Sequence, residues 1–211
     1  MTSEFRISLR NDIPGNMRIK IKAVLFIICL VPFFYILLLT MTGRLGANPI
    51  EELTHFTGTW TLNLLLVTLS VTPLRQLTGI NRIIQYRRML GLFAFFYACL
   101  HFLCYFVLDQ FFDLDAIMED IFKRPYITVG FSAFVLLIPL AATSTKKMMA
   151  HLGKKWKQLH RLVYISATLA ILHFLWLVKA DIREPVIYGV ILITLLLLRT
   201  FHVYRLRITH T

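Results

Sequence analysis

The sequence predicts an all-α polytopic membrane protein: one domain, residues 1–211, of six transmembrane helices with both chain ends on the cytoplasmic side. Three observations predict it. Hydrophobic residues make up 57 % of the 211 and charged residues 16 %. The mean hydropathy is +0.68, and a soluble domain of this size cannot hide that much apolar surface. The apolar residues gather into six runs, each close to the about 20 residues a helix needs to cross roughly 30 Å of hydrocarbon. The basic residues behind the net charge of +12 lie between those runs instead of along one stripe. That places them at membrane surfaces and argues against a nucleic-acid partner.

Residues 1–22 form a basic cytoplasmic arm carrying Arg6, Arg10, Arg18, Lys20 and Lys22. The first run, 23–41, is longer than the apolar segment of a secretory signal and ends without a small-x-small cleavage site, so it reads as an uncleaved span. The second, 59–78, carries Pro73 near its inner end, and the third is 89–108. The fourth, 125–143, opens on Pro125 and the sixth, 185–204, on Pro185, a residue suited to a first helical turn. The fifth, 159–178, belongs to the stretch WKQLHRLVYISATLAILHFLWLV that starts at Trp156. A basic tail, 205–211, follows the sixth. No internal repeat or low-complexity tract is evident, and the connections are short. The three cysteines, Cys29, Cys99 and Cys104, lie inside apolar runs and form no CxxC pair, so they read as small membrane-helix residues.

Orientation follows from the basic residues. Of the 23 lysines and arginines, 18 fall in the arm, the 75–88 loop, the 144–161 loop and the chain's closing segment (Arg199, Arg205 and Arg207), and 5 in the alternate segments. Acidic residues run the other way, with only Glu4 and Asp12 on the basic side. An even number of spans agrees with two cytoplasmic ends.

Histidines are the ionisable groups inside the runs, and such groups mark function. His101 lies about 13 residues from the inner end of span three and His173 about 14 from that of span five. At roughly 1.5 Å per residue the two sit at similar depths. Two neutral imidazoles across a gap between helices suit six-coordinate haem iron, with aromatic residues such as Phe102 and Phe174 as a dry wall. The plainer alternative is a hydrogen bond between helices, or a proton or solute site in a small transporter. An intramembrane zinc enzyme would lack its usual carboxylate.

His160 sits at the inner edge among Lys154, Lys155, Lys157 and Arg161. It reads either as a ligand of a second, inner haem or as a helix-start residue in the headgroups. Thirteen steps at about 100° leave it out of phase with His173 unless the helix is interrupted. The corresponding position on span three is Arg88, which cannot ligate iron. Arg87 and Arg88 obey the positive-inside rule, with pairing to haem propionates, a flavin or a quinone head group as the sharper role. His55 is a candidate docking or haem-edge residue, while His151, His202 and His210 read as solvated surface.

The blocks LGANPIEELTHFTG, RRMLGLFAFFYACLH, KRPYITVG, TSTKKMMAHLGKKWKQLHRLVY and ILHFLW together resemble the MsrQ (formerly YedZ) family. These are the haem-binding membrane subunits of the bacterial methionine sulfoxide reductase system, within the ferric-reductase-like transmembrane group. The likeness runs from about residue 40 to 178. It implies a six-helix inner-membrane b-type cytochrome with one or two haems, FMN also being attributed to the family. It implies electron delivery from the quinone pool or a cytosolic flavin reductase to a periplasmic molybdopterin methionine sulfoxide reductase, with no substrate chemistry in the membrane subunit itself. His101, His160 and His173 fall on the family's haem histidines. Arg88 departs from the wider ferric-reductase pattern, which has a second histidine on span three. No cytosolic flavin or NADPH domain is present, so the donor is expected to be separate.

Overall fold

The computed structural model describes residues 15–178 and 180–208. The expectations for Arg6, Arg10, Glu4, Asp12, Lys179 and His210, and for the side chain of His202, lie outside the described residues.

Nine α-helices, one 3₁₀ turn and one π-helical turn follow one another among the described residues, with no strand. Helix α1 is Gly15–Met41 and α2 is Pro49–Thr78. The start of α2 is set by Asn48, whose side chain accepts from the Glu51 N–H, by Pro49, and by Glu51 and Glu52 in the positive first turn. Its end is set by Gly79 at φ 71°, a left-handed turn that glycine adopts without Cβ strain. A 3₁₀ turn, Asn81–Tyr86, leads into α3, Arg87–Leu103, which runs on as a π-helical turn to Asp109. Next come α4, Leu114–Lys123, capped by Asp113, and α5, Pro125–Ala142. Pro125 disfavours helical backbone at Arg124, which is extended at φ −113° and ψ 97° and separates the two helices.

The fifth apolar run is interrupted. Short helices α6, Lys146–Leu152, and α7, Lys154–Leu159, precede α8, Leu162–Leu177, with Gly153 at φ 49° between the first two. The helix is therefore broken at His160, and its phase to His173 cannot be taken from one straight helix. Helix α9, Arg183–Ile208, closes the described chain.

Helices α2 and α3 form one hairpin and α5 and α8 another; α9 packs on α2 and α8, and α1 on α2 and α3. The core between them contains Leu65, Leu69, Ala94, Tyr97, Leu137, Val163 and Ala167. Polar ties cross the bundle where lipid gives no alternative partner. The Tyr97 hydroxyl donates to the Cys29 carbonyl at 2.8 Å, that of Ser166 to Ala133 at 2.9 Å, and that of Tyr188 to Asn63 Oδ1 at 2.9 Å. Tyr97 is wholly buried. Tyr97→Phe removes the bond that ties α1 to α3, so we expect a loss of about 1 kcal/mol, measured as a lower thermal midpoint of the detergent-solubilised protein. An unchanged midpoint would show that the tie contributes nothing.

Among the described residues, five helical segments are long and apolar enough to cross a membrane: Asn16–Met41, Asn81–Asp109, Pro125–Ala142, Lys154–Leu177 and Arg183–Phe201. Helix α2, expected as the second span, is 30 residues long but does not reach that apolarity. Thr57, Thr61 and Thr68 dilute it, yet each hydroxyl donates to the carbonyl one turn earlier, and all three are buried. The helix lies at the centre of the bundle, where protein takes the place of lipid.

Candidate cofactor site

Each hairpin delivers one imidazole to the same gap. The His101 and His173 rings have centroids 6.1 Å apart and planes inclined at 75°. Nδ1 of His101 lies 2.9 Å from the Thr54 carbonyl oxygen, and Nδ1 of His173 lies 2.7 Å from that of Tyr126. A carbonyl only accepts, so each Nδ1 carries the proton and donates, and each Nε2 keeps its lone pair. Metal-binding histidines are commonly oriented in this way.

Two glycines allow the close approach. A Cβ on Gly58 would stand 3.0 Å from Cε1 of His101, and one on Gly130 would stand 2.6 Å from Nδ1 of His173. Each glycine follows by one turn the carbonyl that its histidine bonds, so the rings rest on bare helix backbone. The two arrangements also match in sequence, since 47 positions separate acceptor and histidine in both. Thr54, Gly58 and His101 recur as Tyr126, Gly130 and His173, each 72 residues later. The match is confined to these few positions, and the side chains between them differ. The same shift takes Arg88 to His160, so equivalent inner positions hold an arginine in one hairpin and a histidine in the other.

A cavity of about 490 Å³ lies between the hairpins, within the roughly 300–1,000 Å³ of small-molecule sites. Leu65, Leu137 and Ser166 line one end, and Asn48, Glu51, His55, Asp109 and Arg124 the mouth at the other. Phe102 and Phe134, stacked at 4.9 Å, form part of the wall. Imidazole nitrogens bind metals at about 2 Å and the ring centre lies about 1 Å further, so imidazoles on opposite faces of one metal have centroids about 6 Å apart. That is the separation found here. Zinc takes three or four protein ligands, and among the described residues no three His, Cys, Asp or Glu side chains stand together to hold a metal. Haem iron takes imidazole ligands within an apolar slot, and this pair of histidines with its apolar lining fits it.

His160, Arg87 and Arg88 do not line the cavity. The His160 ring stacks on Trp156 at 4.0 Å, and its Nε2 lies 3.1 Å from Thr143 Oγ1. That hydroxyl spends its proton on the Pro139 carbonyl at 2.6 Å, so His160 Nε2 is the donor in the pair. Trp156 Nε1 donates to the Thr143 carbonyl at 3.0 Å and fixes the stack. Arg87 donates to Thr72 Oγ1 at 3.4 Å and hydrogen-bonds Tyr164, whose ring lies 4.9 Å from the Arg199 guanidinium. Arg88 and His151 are exposed. His55 stands at the mouth, 3.9 Å from Glu51.

Gly58, Gly130 and Arg124 take part in the site without having been singled out by the residues alone. The shift of 72 shared by two glycines and two histidines is the signal that points to the first two.

The ferric reductase like transmembrane component family matches residues 56–171, a stretch holding His101 and His160. The chain is 55 % identical over 190 residues to the protein-methionine-sulfoxide reductase heme-binding subunit MsrQ of Herminiimonas arsenicoxydans, covering 89 % of this chain and 87 % of the relative. It is 51 % identical over 195 residues to the subunit of that name from Ralstonia nicotianae, with 91 % and 89 % covered. To that of Bordetella pertussis it is 51 % identical over 179 residues, with 84 % and 87 % covered. No solved structure matches the chain.

Proposed function

The chain belongs to the MsrQ family of ferric-reductase-like transmembrane proteins, and from that footing we propose that it is the haem b-binding, electron-carrying membrane subunit of a methionine sulfoxide reductase system. The observation that carries this reading is the His101–His173 pair, 6.1 Å between ring centroids, with both Nδ1 atoms committed to carbonyls. We propose six spans, the five apolar segments together with α2 as the second in chain order, in one domain in the bacterial inner membrane, with both ends cytoplasmic.

Bound haem b supplies one-electron chemistry at iron. His101 and His173 would both hold the iron, and a donor set of two imidazoles suits an electron carrier and not a site of bond breaking. Their hydrogen-bonded Nδ1 atoms raise the electron-donating strength of Nε2. The lock on both tautomers also speaks against a transporter, where imidazoles would pass protons from one nitrogen to the other.

At the inner edge, His160, Arg87 and Arg88 form the basic side on which we place the donor, a quinol or a cytosolic flavin reductase, with FMN as the flavin. On the outer side, Glu51, Glu52, Asp109, Asp113 and Asp115 face the acceptor, a periplasmic molybdopterin enzyme that reduces methionine sulfoxide. We propose one haem, because His160 Nε2 is engaged by Thr143 and no lining residue of the cavity comes from that region.

The test is the absorption and electron paramagnetic resonance spectrum of purified wild-type protein. A b-type α-band on reduction and a low-spin ferric signal are expected, and a folded, colourless protein would overturn the proposal. His160→Ala is expected to keep the wild-type haem-to-protein ratio and to be reduced more slowly by a quinol analogue. A ratio halved by this substitution would establish a second haem.

A further inference from the structure

The charged lining of the cavity is confined to its outer mouth, and Arg124 is the permanent cation there. Its position is built by the chain. Pro125 holds Arg124 in extended backbone, and Arg124 Nε lies 3.1 Å from Asp120 Oδ1. Asp120 is 9 % exposed, and its Oδ2 also accepts from the Tyr105 hydroxyl at 3.1 Å and from Gln110 Nε2 at 3.1 Å. This carboxylate is thus tethered from the π-helical turn that follows α3 and from the loop after that turn, and it grips the guanidinium at one nitrogen. The guanidinium also hydrogen-bonds the Tyr126 side chain; with five donors in all, donors remain for a second anion.

The opposite end of the cavity is closed by Leu65 and Leu137 and offers no cation. Glu51 and Asp109 at the mouth are both exposed and their fields are screened by water; Arg124 is itself 53 % exposed, so its selection of an anion rests on direct charge-assisted hydrogen bonds and not on a long-range field. Haem b has one edge with two carboxylates and an otherwise apolar periphery, so charge and shape select one orientation.

We infer that Arg124 binds the propionate edge of the haem at the outer mouth, with Asp120, Tyr105 and Gln110 as positioning residues that aim its guanidinium. This rests on the haem reading of the same cavity. Haem therefore enters and sits with its charged edge toward the acceptor side, and its apolar edge toward the donor side.

The experiment titrates protein purified from haem-limited cells with haem and with haem dimethyl ester, which keeps the ring and iron but lacks both charges. Affinities are read from the Soret band for wild type, Arg124→Gln and Arg124→Lys. Wild type is expected to bind the ester about tenfold more weakly than haem. Arg124→Gln is expected to lose about tenfold for haem and to bind the ester as wild type does; Arg124→Lys falls between. This coupling between charge on the ligand and charge at position 124 is what a merely structural role would not produce. Equal losses for both ligands, or no loss in Arg124→Gln, would overturn the inference. So would wild type binding haem and ester alike, a result that needs no variant to fold and leaves the haem reading standing. Wild type that binds neither ligand would instead bring down the haem reading itself.

Discussion

His173→Ala leaves the purified protein with less than about a tenth of the wild-type haem, and His101→Ala does the same. Removing even a hydrogen-bond partner of a metal ligand typically lowers metal affinity by about 10–100-fold, so losing the ligand itself does more. The fold should survive the change. Tyr126 O lies within α5, where the helix's own hydrogen bonds do not depend on the His173 side chain. The vacated space is the size of an imidazole and opens on the cavity, so added imidazole is expected to restore low-spin haem to His173→Ala. Haem content by pyridine haemochrome, with and without imidazole, is the measurement. A variant that keeps both its haem and the wild-type spectrum would show that this pair does not ligate iron. His160→Ala provides the contrast, since its Nε2 is engaged by Thr143 and its loss should leave the haem in place.

Much of this site was legible in the sequence because depth along a membrane helix is a count of residues. His101 and His173 were paired by that count alone, and their rings do meet. The runs at 23–41, 89–108, 125–143 and 185–204 each correspond to a helix, for the same reason that lipid admits little else. What escaped the count was decided by contacts within protein. Helix α2 begins at Pro49 and not near 59, because capping by Asn48 and the buried, self-satisfied threonines extend it beyond its apolar part. Helix α4 is ten residues of mixed character between two spans, too short and polar to register as an apolar run. The break at His160 is held by Trp156 and Thr143, and no periodicity announces it. Gly58 and Gly130 are the clearest case. A glycine in a membrane helix is common, and its meaning appears only when the imidazole packed on it is known.

Those glycines make the sharpest test of how the rings are seated. Gly130→Ala is expected to destabilise the protein by about 1–2 kcal/mol and to convert part of the haem to high spin, whereas Gly58→Ala stays within about 1 kcal/mol of wild type. Two effects of opposite sign compete. Alanine in a helix interior gains about 1 kcal/mol over glycine, and overpacking costs about 1–3 kcal/mol. At Gly58 the new Cβ meets the His101 ring at 3.0 Å, and at Gly130 it meets His173 Nδ1 at 2.6 Å. That second contact cannot relax cheaply, because Nδ1 is bonded to Tyr126 O at 2.7 Å and its ring must keep Nε2 aimed into the gap. Movement gives up the hydrogen bond, the ligand position or both, so overpacking wins at Gly130 and the terms nearly cancel at Gly58. Gly91→Ala is the control in α3, where the added Cβ would meet Thr68 Cγ2 at an ordinary 3.5 Å and should stabilise by up to about 1 kcal/mol. Thermal midpoints report the stability and electron paramagnetic resonance the spin state. If Gly130→Ala matches Gly91→Ala in both, bare backbone under the ring is not what holds His173 in place.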